Sequence, residues 1–339
     1  MSRFMYYPGC SMDSSARAYG DSIEEICRPL EIDLQEIDDW NCCGASEYMA
    51  LSQTRAFALI SRNLALAERQ KDGGSTLVAP CSLCYLNLAK TDHYMQEDPR
   101  LSKKLNMALD ADGLSYTPGA LAVRHLLDIV LDEVGLEKVR SHVVKPLTGL
   151  RLAPYLGCLV TRPDYGHRWR SREHPKELDH LLAALGAEVV DFPLRTECCG
   201  GHMTQISPGT GFELIRRLVD AAARQGADAL VTLCPMCQMN VDAYQAEMNH
   251  YFKTSYHMPI LFFTQLIGLA FGVPAQKLGI GTEIVSSRAA LAKIGIEIPV
   301  TEAQEPVGAG AAGPPRRPRA KQTGLPMPAM PGENGEAPR

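Results

Sequence analysis

The chain has 339 residues, of which 45% are hydrophobic, with a formal net charge of -5 and 11 cysteines. This length suits two domains of ordinary size, and the negative balance speaks against nucleic acid as a partner. The opening, Met1-Ser2-Arg3-Phe4-Met5, lacks the apolar run of a secretory signal, so the thiols are expected in a reducing cytoplasm, where metal ligation outranks disulfides.

In chain order, short apolar runs of strand type fall at residues 4–7, 33–37 and 76–78, and again at 152–156, 188–191 and 229–233. Segments of helical period lie between them, one with a stripe of Ala16, Tyr19, Ile23, Ile26 and Leu30, another with Leu178, Leu181, Leu182 and Leu185. Such alternation predicts βαβ units, hence an α/β fold with parallel sheets. Residues 121–134 and 262–273 read as matching closing helices. The most apolar stretch, 259–274, is interrupted by Thr264, Gln265 and Gly268 and is shorter than the ~20 residues of a bilayer span, so it reads as a buried helix and no direct membrane span is expected. From Thr301 the composition turns to about one-third proline plus glycine with a basic knot at 314–321, the signature of a disordered tail. Gly308, Gly310 and Gly313 match a dinucleotide-binding pattern without the strand and helix that give it meaning. The expected division is two similar domains, 1–148 and 149–300, followed by the tail, 301–339.

Ten of the 11 cysteines form two copies of one pattern. The first is Cys10, 31 residues, Cys42-Cys43, 37 residues, then Cys81 and Cys84; the second is Cys158, 39 residues, Cys198-Cys199, 34 residues, then Cys234 and Cys237. The flanks repeat as well: Tyr7-Pro8-Gly9-Cys10 answers to Tyr155-Leu156-Gly157-Cys158, and Cys42-Cys43-Gly44 to Cys198-Cys199-Gly200. Duplication of a whole domain accounts for this order. The cysteines sit where a strand or loop gives way to the next element, the edge at which open α/β sheets gather ligands.

Each set holds one thiol more than an ordinary four-ligand site requires. A Cys-x-x-Cys at a helix start lets two sulfurs converge, helped by the helix N-terminal amides. Adjacent cysteines diverge, which suits a cluster of several metals better than one tetrahedral ion. Gly44, Gly200 and Gly201 permit close approach of backbone to such a group. A zinc site in one or both domains, a pair of cubane clusters with one idle thiol each, and plain buried thiols are the alternatives. Cys27, beside Ile23, Ile26 and Leu30 on a helical stripe, reads as a packed thiol.

The doubled pattern, with Tyr-Tyr-Pro-Gly-Cys-Ser at the start and Cys-Cys-Gly in the middle, resembles the tandem CCG cysteine-rich domains of the heterodisulfide reductase B subunit over residues 1 to about 275. The resemblance implies two Rossmann-like CCG domains, each holding a noncubane [4Fe-4S] cluster. By that resemblance the first cluster is held by Cys10, Cys42, Cys43, Cys81 and Cys84, and the second by Cys158, Cys198, Cys199, Cys234 and Cys237. It also implies a catalytic subunit that reduces, or reversibly forms, a disulfide or related thiol or persulfide between the two clusters. The implied partners are a ferredoxin-type iron–sulfur subunit and a flavoprotein subunit. The chemistry is coherent, since splitting a disulfide takes two electrons and an iron–sulfur cluster usually passes one. A CCG-type electron-transfer subunit of a lactate or glycolate oxidation system and a zinc-bound scaffold without catalysis are the alternatives.

Two secondary features stand out. The longer first spacer of the second copy carries Arg162, His167, Arg168, Arg170, Arg172 and His174, suited either to an anionic substrate group or to a solvated face. His202, three residues after Cys199, is a candidate proton donor or a structural hydrogen-bonding histidine, whereas His93 and His257 have no motif around them.

Overall fold

A computed structural model describes residues 2–71, 74–163, 165 and 171–298. His167, Arg168, Arg170, the glycines at 308–313 and the basic knot at 314–321 lie outside the described residues. Eight strands form two four-stranded sheets, both wholly parallel. The first consists of β1 (Ser2–Tyr6), β2 (Ile32–Glu36), β3 (Thr76–Ala79) and β4 (Ala122–His125) in the order β2-β1-β3-β4. The second consists of β5 (Arg151–Tyr155), β6 (Glu188–Val189), β7 (Ala229–Thr232) and β8 (Ile260–Phe262) in the order β6-β5-β7-β8. Identical strand order in both halves confirms that the cysteine repeat reflects duplication of an α/β unit.

Helices with one apolar stripe cover the sheets, whereas Phe263–Ala270 is buried at every position. Arg17–Cys27 buries Tyr19, Ile23, Ile26 and Cys27, and Glu177–Ala184 buries Leu178, Leu181 and Leu182, as the helical period predicts. The inner strands are apolar on both faces, which is why they read as continuous runs: Ala229, Leu230, Val231 and Thr232 of β7 are all buried.

The two closing segments differ from expectation. Residues 121–134 do not form one helix: they begin with β4 and continue as the helical turns Leu126–Asp128 and Ile129–Val134. The stretch 259–274 likewise splits into β8 and the helix Phe263–Ala270. Both stretches are rich in apolar residues, with the strand running directly into the helix, and periodicity alone does not separate a short buried strand from a buried helix. The strand expected at 188–191 shortens to two residues, with Val190 still donating its N–H to the Leu152 carbonyl at 3.0 Å.

The halves join through a buried seam. Helix Arg17–Cys27 of the first copy packs on helix Phe263–Ala270 of the second. Tyr19, fully buried, stacks on Phe262 at 4.2 Å between ring centroids and meets Phe263 edge-on at 6.1 Å. Beside it, the buried Ser22 and Thr264 hydroxyls lie 2.6 Å apart.

Candidate functional site at the seam

In a parallel sheet with this order, the chain leaves β1 in one direction and β3 in the other, opening a crevice at the carboxyl ends of those strands. The cysteines of the first copy occupy the loops at that edge. Cys10 follows β1, Cys42-Cys43 follows β2, and Cys81 caps the helix Ser82–Glu97 directly after β3. The second copy repeats the arrangement, with Cys158 after β5, Cys198-Cys199 after β6, and Cys234 capping the helix Pro235–Ala243 after β7.

Matching contacts hold the two sets. The Tyr7 hydroxyl donates to the Asn41 carbonyl at 2.7 Å and the Tyr155 hydroxyl to the Glu197 carbonyl at 2.9 Å, each fixing the residue before the paired cysteines. Asn87 Nδ2 donates to the Cys43 carbonyl at 3.3 Å, and Asn240 Nδ2 to the Cys199 carbonyl at 2.7 Å. These asparagines, three residues after each Cys-x-x-Cys, escape a reading confined to cysteines, although their repeat is visible in the sequence. Backbone N–H groups reach sulfur: Gly44 to Cys42 Sγ at 3.4 Å, Gly200 to Cys198 Sγ at 3.3 Å and Gly201 to Cys199 Sγ at 3.3 Å.

Glycine is required just before the leading cysteine. Gly9 has φ 80°, and a Cβ there would stand 2.9 Å from Cys84 Sγ; Gly157 has φ 74°, with Cys237 Sγ at 3.1 Å. The Gly157 loop is further pinned by the fully buried Arg195, whose carbonyl accepts the N–H groups of Leu156 and Gly157 at 2.9 and 3.0 Å. The Arg195 guanidinium in turn binds Asp179 at 2.6 Å, a buried ion pair that sequence periodicity does not signal.

Cys10 and Cys42 sulfurs are 3.5 Å apart and Cys43 and Cys84 sulfurs 3.6 Å. Cys10, Cys42 and Cys198 are exposed and Cys158 half-buried, whereas Cys43, Cys81, Cys84, Cys199, Cys234 and Cys237 are buried. Hydrogen bonding from Cys10 foremost, then Cys43, lowers the Cys42 thiol to about 2, and Cys158 foremost lowers Cys198 to about 2. Their neighbours move oppositely, Cys43 to about 11 by hydrogen bonding with Cys42 and Cys199 to about 12 by hydrogen bonding with Cys198. Such crowding keeps the thiols from ionising together unless a cation offsets the charge. Among the described residues, no three His, Cys, Asp or Glu side chains surround one point in the manner of a single-ion site.

The two sets meet. The Cys81 and Cys234 thiols lie within hydrogen-bonding reach, and the Tyr19 hydroxyl is shared between the Pro80 carbonyl at 3.1 Å and the Leu233 carbonyl at 3.4 Å. Tyr19 read from the sequence as a core residue; only the fold turns it into the tie between the two Cys-x-x-Cys entries. A cavity of about 280 Å³ opens beside the second set, lined by its five cysteines and by Ser46, Glu47, Ser82 and Leu83 of the first copy. His202 lines it and forms an ion pair with Glu47 through Nδ1. Partial burial alone would raise the Glu47 carboxyl, but hydrogen bonds from His202, its own backbone N–H and Ser46 hold it below its ordinary range.

The described part of the basic spacer is engaged internally. Arg162 binds the Thr196 carbonyl at 3.0 Å and Glu173 at 3.2 Å, and His174 faces Asp191 at 3.8 Å. His93 pairs with Glu97 at 3.3 Å and packs on Tyr165. Cys27 is buried and remote in kind from the two sets, its thiol pushed up to about 12 by burial.

Comparison with known proteins agrees with this duplication. The CCG cysteine-rich domain matches twice, over residues 4–89 and 152–242. The 8-methylmenaquinol:fumarate reductase membrane anchor subunit of Wolinella succinogenes is 33% identical over 284 residues, covering 84% of this chain and 97% of the relative. The B subunit of the ferredoxin/F(420)H(2)-dependent CoB-CoM heterodisulfide reductase of Methanosarcina acetivorans is 29% identical over 297 residues, with 87% and 97% covered. A protein of Archaeoglobus profundus described as like the heterodisulfide reductase B subunit is 28% identical over 283 residues, with 82% and 93% covered. A crystal structure of a hypothetical protein from Helicobacter pylori superposes with a TM-score of 0.65 at 16% identity, covering 84% of this chain and 52% of that one, so the chain spans about half of that fold relative. With two matched copies and a relative at 33% identity over nearly its whole length, this chain belongs to the CCG cysteine-rich domain family.

Proposed function

We propose that the chain is the iron–sulfur subunit of a redox complex, of the same kind as the heterodisulfide reductase B subunit, acting on a disulfide or related thiol or persulfide at the seam of its two copies. The observation that carries this reading is the meeting of two five-thiol sets beside a cavity lined by both copies. Cys10, Cys42, Cys43, Cys81 and Cys84 would hold one [4Fe-4S] group of noncubane type, and Cys158, Cys198, Cys199, Cys234 and Cys237 the other. The donor set fits such groups. Five thiols gather in each copy, glycine leaves the sulfur edge clear at Gly9 and Gly157, and glycine N–H groups are already directed at sulfur. A single-ion zinc site has less support, since it leaves a thiol idle in each set.

When bound, such groups supply electrons one at a time. The protein's own part is to hold the two sets side by side through Tyr19, to exclude water with Leu83, Leu156 and Met236, and to place Glu47 and His202 at the cavity. Two electrons have to reach the site from outside the chain, which supports partner subunits of ferredoxin and flavoprotein type. Domain limits of 1–148 and 149–300 and a cytoplasmic location complete the proposal. Iron analysis of anaerobically purified protein tests it: about eight irons per chain are expected from two four-iron groups, and stoichiometric zinc without iron refutes it. Cys43→Ala and Cys199→Ala are each expected to lose or convert one group, leaving the other spectrum intact.

A second reading has its own support. The relative at 33% identity is named as the membrane anchor subunit of a methylmenaquinol:fumarate reductase. Among the described residues, no helix is long and apolar enough to cross a membrane. Leu51 and Ile206, 81% and 76% exposed, end the two short helices that follow the paired cysteines, Glu47–Leu51 and Met203–Ile206. These tips supply an apolar rim that suits contact with a membrane surface or a membrane-bound partner. Co-sedimentation with liposomes, lost in a Leu51→Ser/Ile206→Ser variant, favours this reading; its absence in the parent chain removes it.

A further inference from the structure

Equivalent positions in the two copies have diverged at one point that faces the shared cavity. After the first paired cysteines comes Gly44-Ala45-Ser46-Glu47; after the second comes Gly200-Gly201-His202-Met203. Serine thus stands in the first copy where histidine stands in the second, and methionine in the second where glutamate stands in the first. Neither copy holds both members, yet the fold brings them together: Glu47 Oε1 pairs with His202 Nδ1 across the seam, and Ser46 Oγ donates to the same carboxylate oxygen at 3.0 Å. Apart from the thiols, Glu47 and His202 are the only titratable side chains among the described residues lining the cavity. The His202 side chain is 26% exposed and that of Glu47 46%, so the pair touches solvent as well as the cavity.

We propose that Glu47 and His202 form a proton-transfer pair supplied jointly by the two copies, His202 the catalytic residue and Glu47 the positioning residue. This rests on the disulfide reading above and gives the site its proton chemistry. An ion pair at Nδ1 fixes the ring and reserves Nε2 for the ligand, the logic by which a carboxylate orients a catalytic imidazole. In the reductive direction, the ligand's S–S bond breaks as it takes up two electrons, delivered from an iron–sulfur or flavin partner subunit. One departing thiolate takes the proton from His202 Nε2 and the other takes a proton from water. The neutral ring regains its proton from solvent, while Glu47 stays a carboxylate throughout. Thiol oxidation runs the same transfers backwards, with His202 accepting.

The asymmetry makes the pair separable from cluster assembly and folding. The holoprotein, with reduced methyl viologen as donor and bis(2-hydroxyethyl) disulfide as probe, reports turnover. His202→Ala is expected to lower kcat at least about 100-fold, the lower bound for losing a general acid, with KM, iron content and melting temperature at parental values. Added imidazole is expected to restore its activity, which it does not do for a histidine whose role is structural. Glu47→Gln is expected to lose about 10-fold and Glu47→Asp to retain most activity, since a carboxylate remains to orient the ring. A readout independent of turnover is modification by diethyl pyrocarbonate followed by peptide mass analysis. In the parent, saturating probe disulfide is expected to protect His202. Parental kcat in His202→Ala, failure of imidazole to restore its lost activity, or modification of His202 undiminished by the probe overturns the proposal. A parent chain that carries its iron but reduces no disulfide refutes the disulfide reading, and this pair falls with it; normal turnover in His202→Ala refutes the pair alone.

Discussion

Gly9→Ala tests the packing of sulfur against backbone more sharply than removal of a cysteine. Gly9 has φ 80° and ψ 155°, a region essentially closed to residues with a side chain, and occupying it costs about 1–3 kcal/mol. The added Cβ would lie 2.9 Å from Cys84 Sγ, well inside the ~3.5–4.0 Å at which carbon atoms meet comfortably. Cys84 is buried and cannot swing into solvent, so overpacking adds about 1–3 kcal/mol. The total, about 2–6 kcal/mol, is a large share of the ~5–15 kcal/mol of a typical domain. Gly113→Ala is the control: φ is 63° there, but nothing lies within 4 Å of the new Cβ, so only a backbone cost of about 1 kcal/mol is expected. Urea unfolding under anaerobic conditions measures both variants, and iron content reports the first thiol set. Gly9→Ala should be the less stable and should retain about half of the parental iron, because displacement of Cys84 disturbs one set alone. Equal stability of the two variants with full iron in Gly9→Ala refutes the close-approach argument.

Other consequences are measurable. Ser22→Ala leaves the buried Thr264 hydroxyl without its 2.6 Å partner and is expected to cost about 1–3 kcal/mol, whereas Ser22→Ala/Thr264→Val should recover part of that; strictly additive effects would show that the seam bond contributes nothing. Tyr19→Phe removes one hydroxyl shared by the Pro80 and Leu233 carbonyls and should destabilise by about 1 kcal/mol in urea unfolding, with no change expected if the hydroxyl is not a tie. Cys27, 9% exposed and pushed up to about 12, stays a thiol as pH rises through 8 and should resist iodoacetamide in the folded chain; alkylation as fast as that of an accessible model thiol would contradict its packing.

Much of the fold was legible because duplication repeats its own signals. The six strands read from short apolar runs all appear, with no end more than two residues off; the inner strands β5 and β7 are legible because continuous apolar character marks a strand buried on both faces, whereas β2 leaves Gln35 and Glu36 exposed. The two remaining strands, β4 and β8, were missed because each runs directly into a helix, with no glycine or proline at His125 or Phe262 to mark the change. The ten cysteines of the doubled pattern are visible one by one in the sequence, and the fold carries them to the loops at the carboxyl ends of the strands. Their supports were only partly so: Asn87 and Asn240 repeat at a fixed offset and carried a signal, while the buried Arg195 and Asp179 pair carried none.

What the sequence by itself determined is local and repetitive: parallel βαβ units, six of the eight strands, and two sets of five cysteines in the loops that follow strands. These follow from periodicity and from the chemistry of single residues, which act over a few positions along the chain. Only the tertiary structure decided what lies between the sets. Tyr19 ties two carbonyls from opposite copies, Cys81 meets Cys234, and Glu47 finds His202, a partner 155 positions away that no repeat offset predicts because the two copies diverged there. Such contacts depend on how two folded units dock, a matter of packing apolar helix faces against each other, and docking geometry leaves no period in the chain to be read.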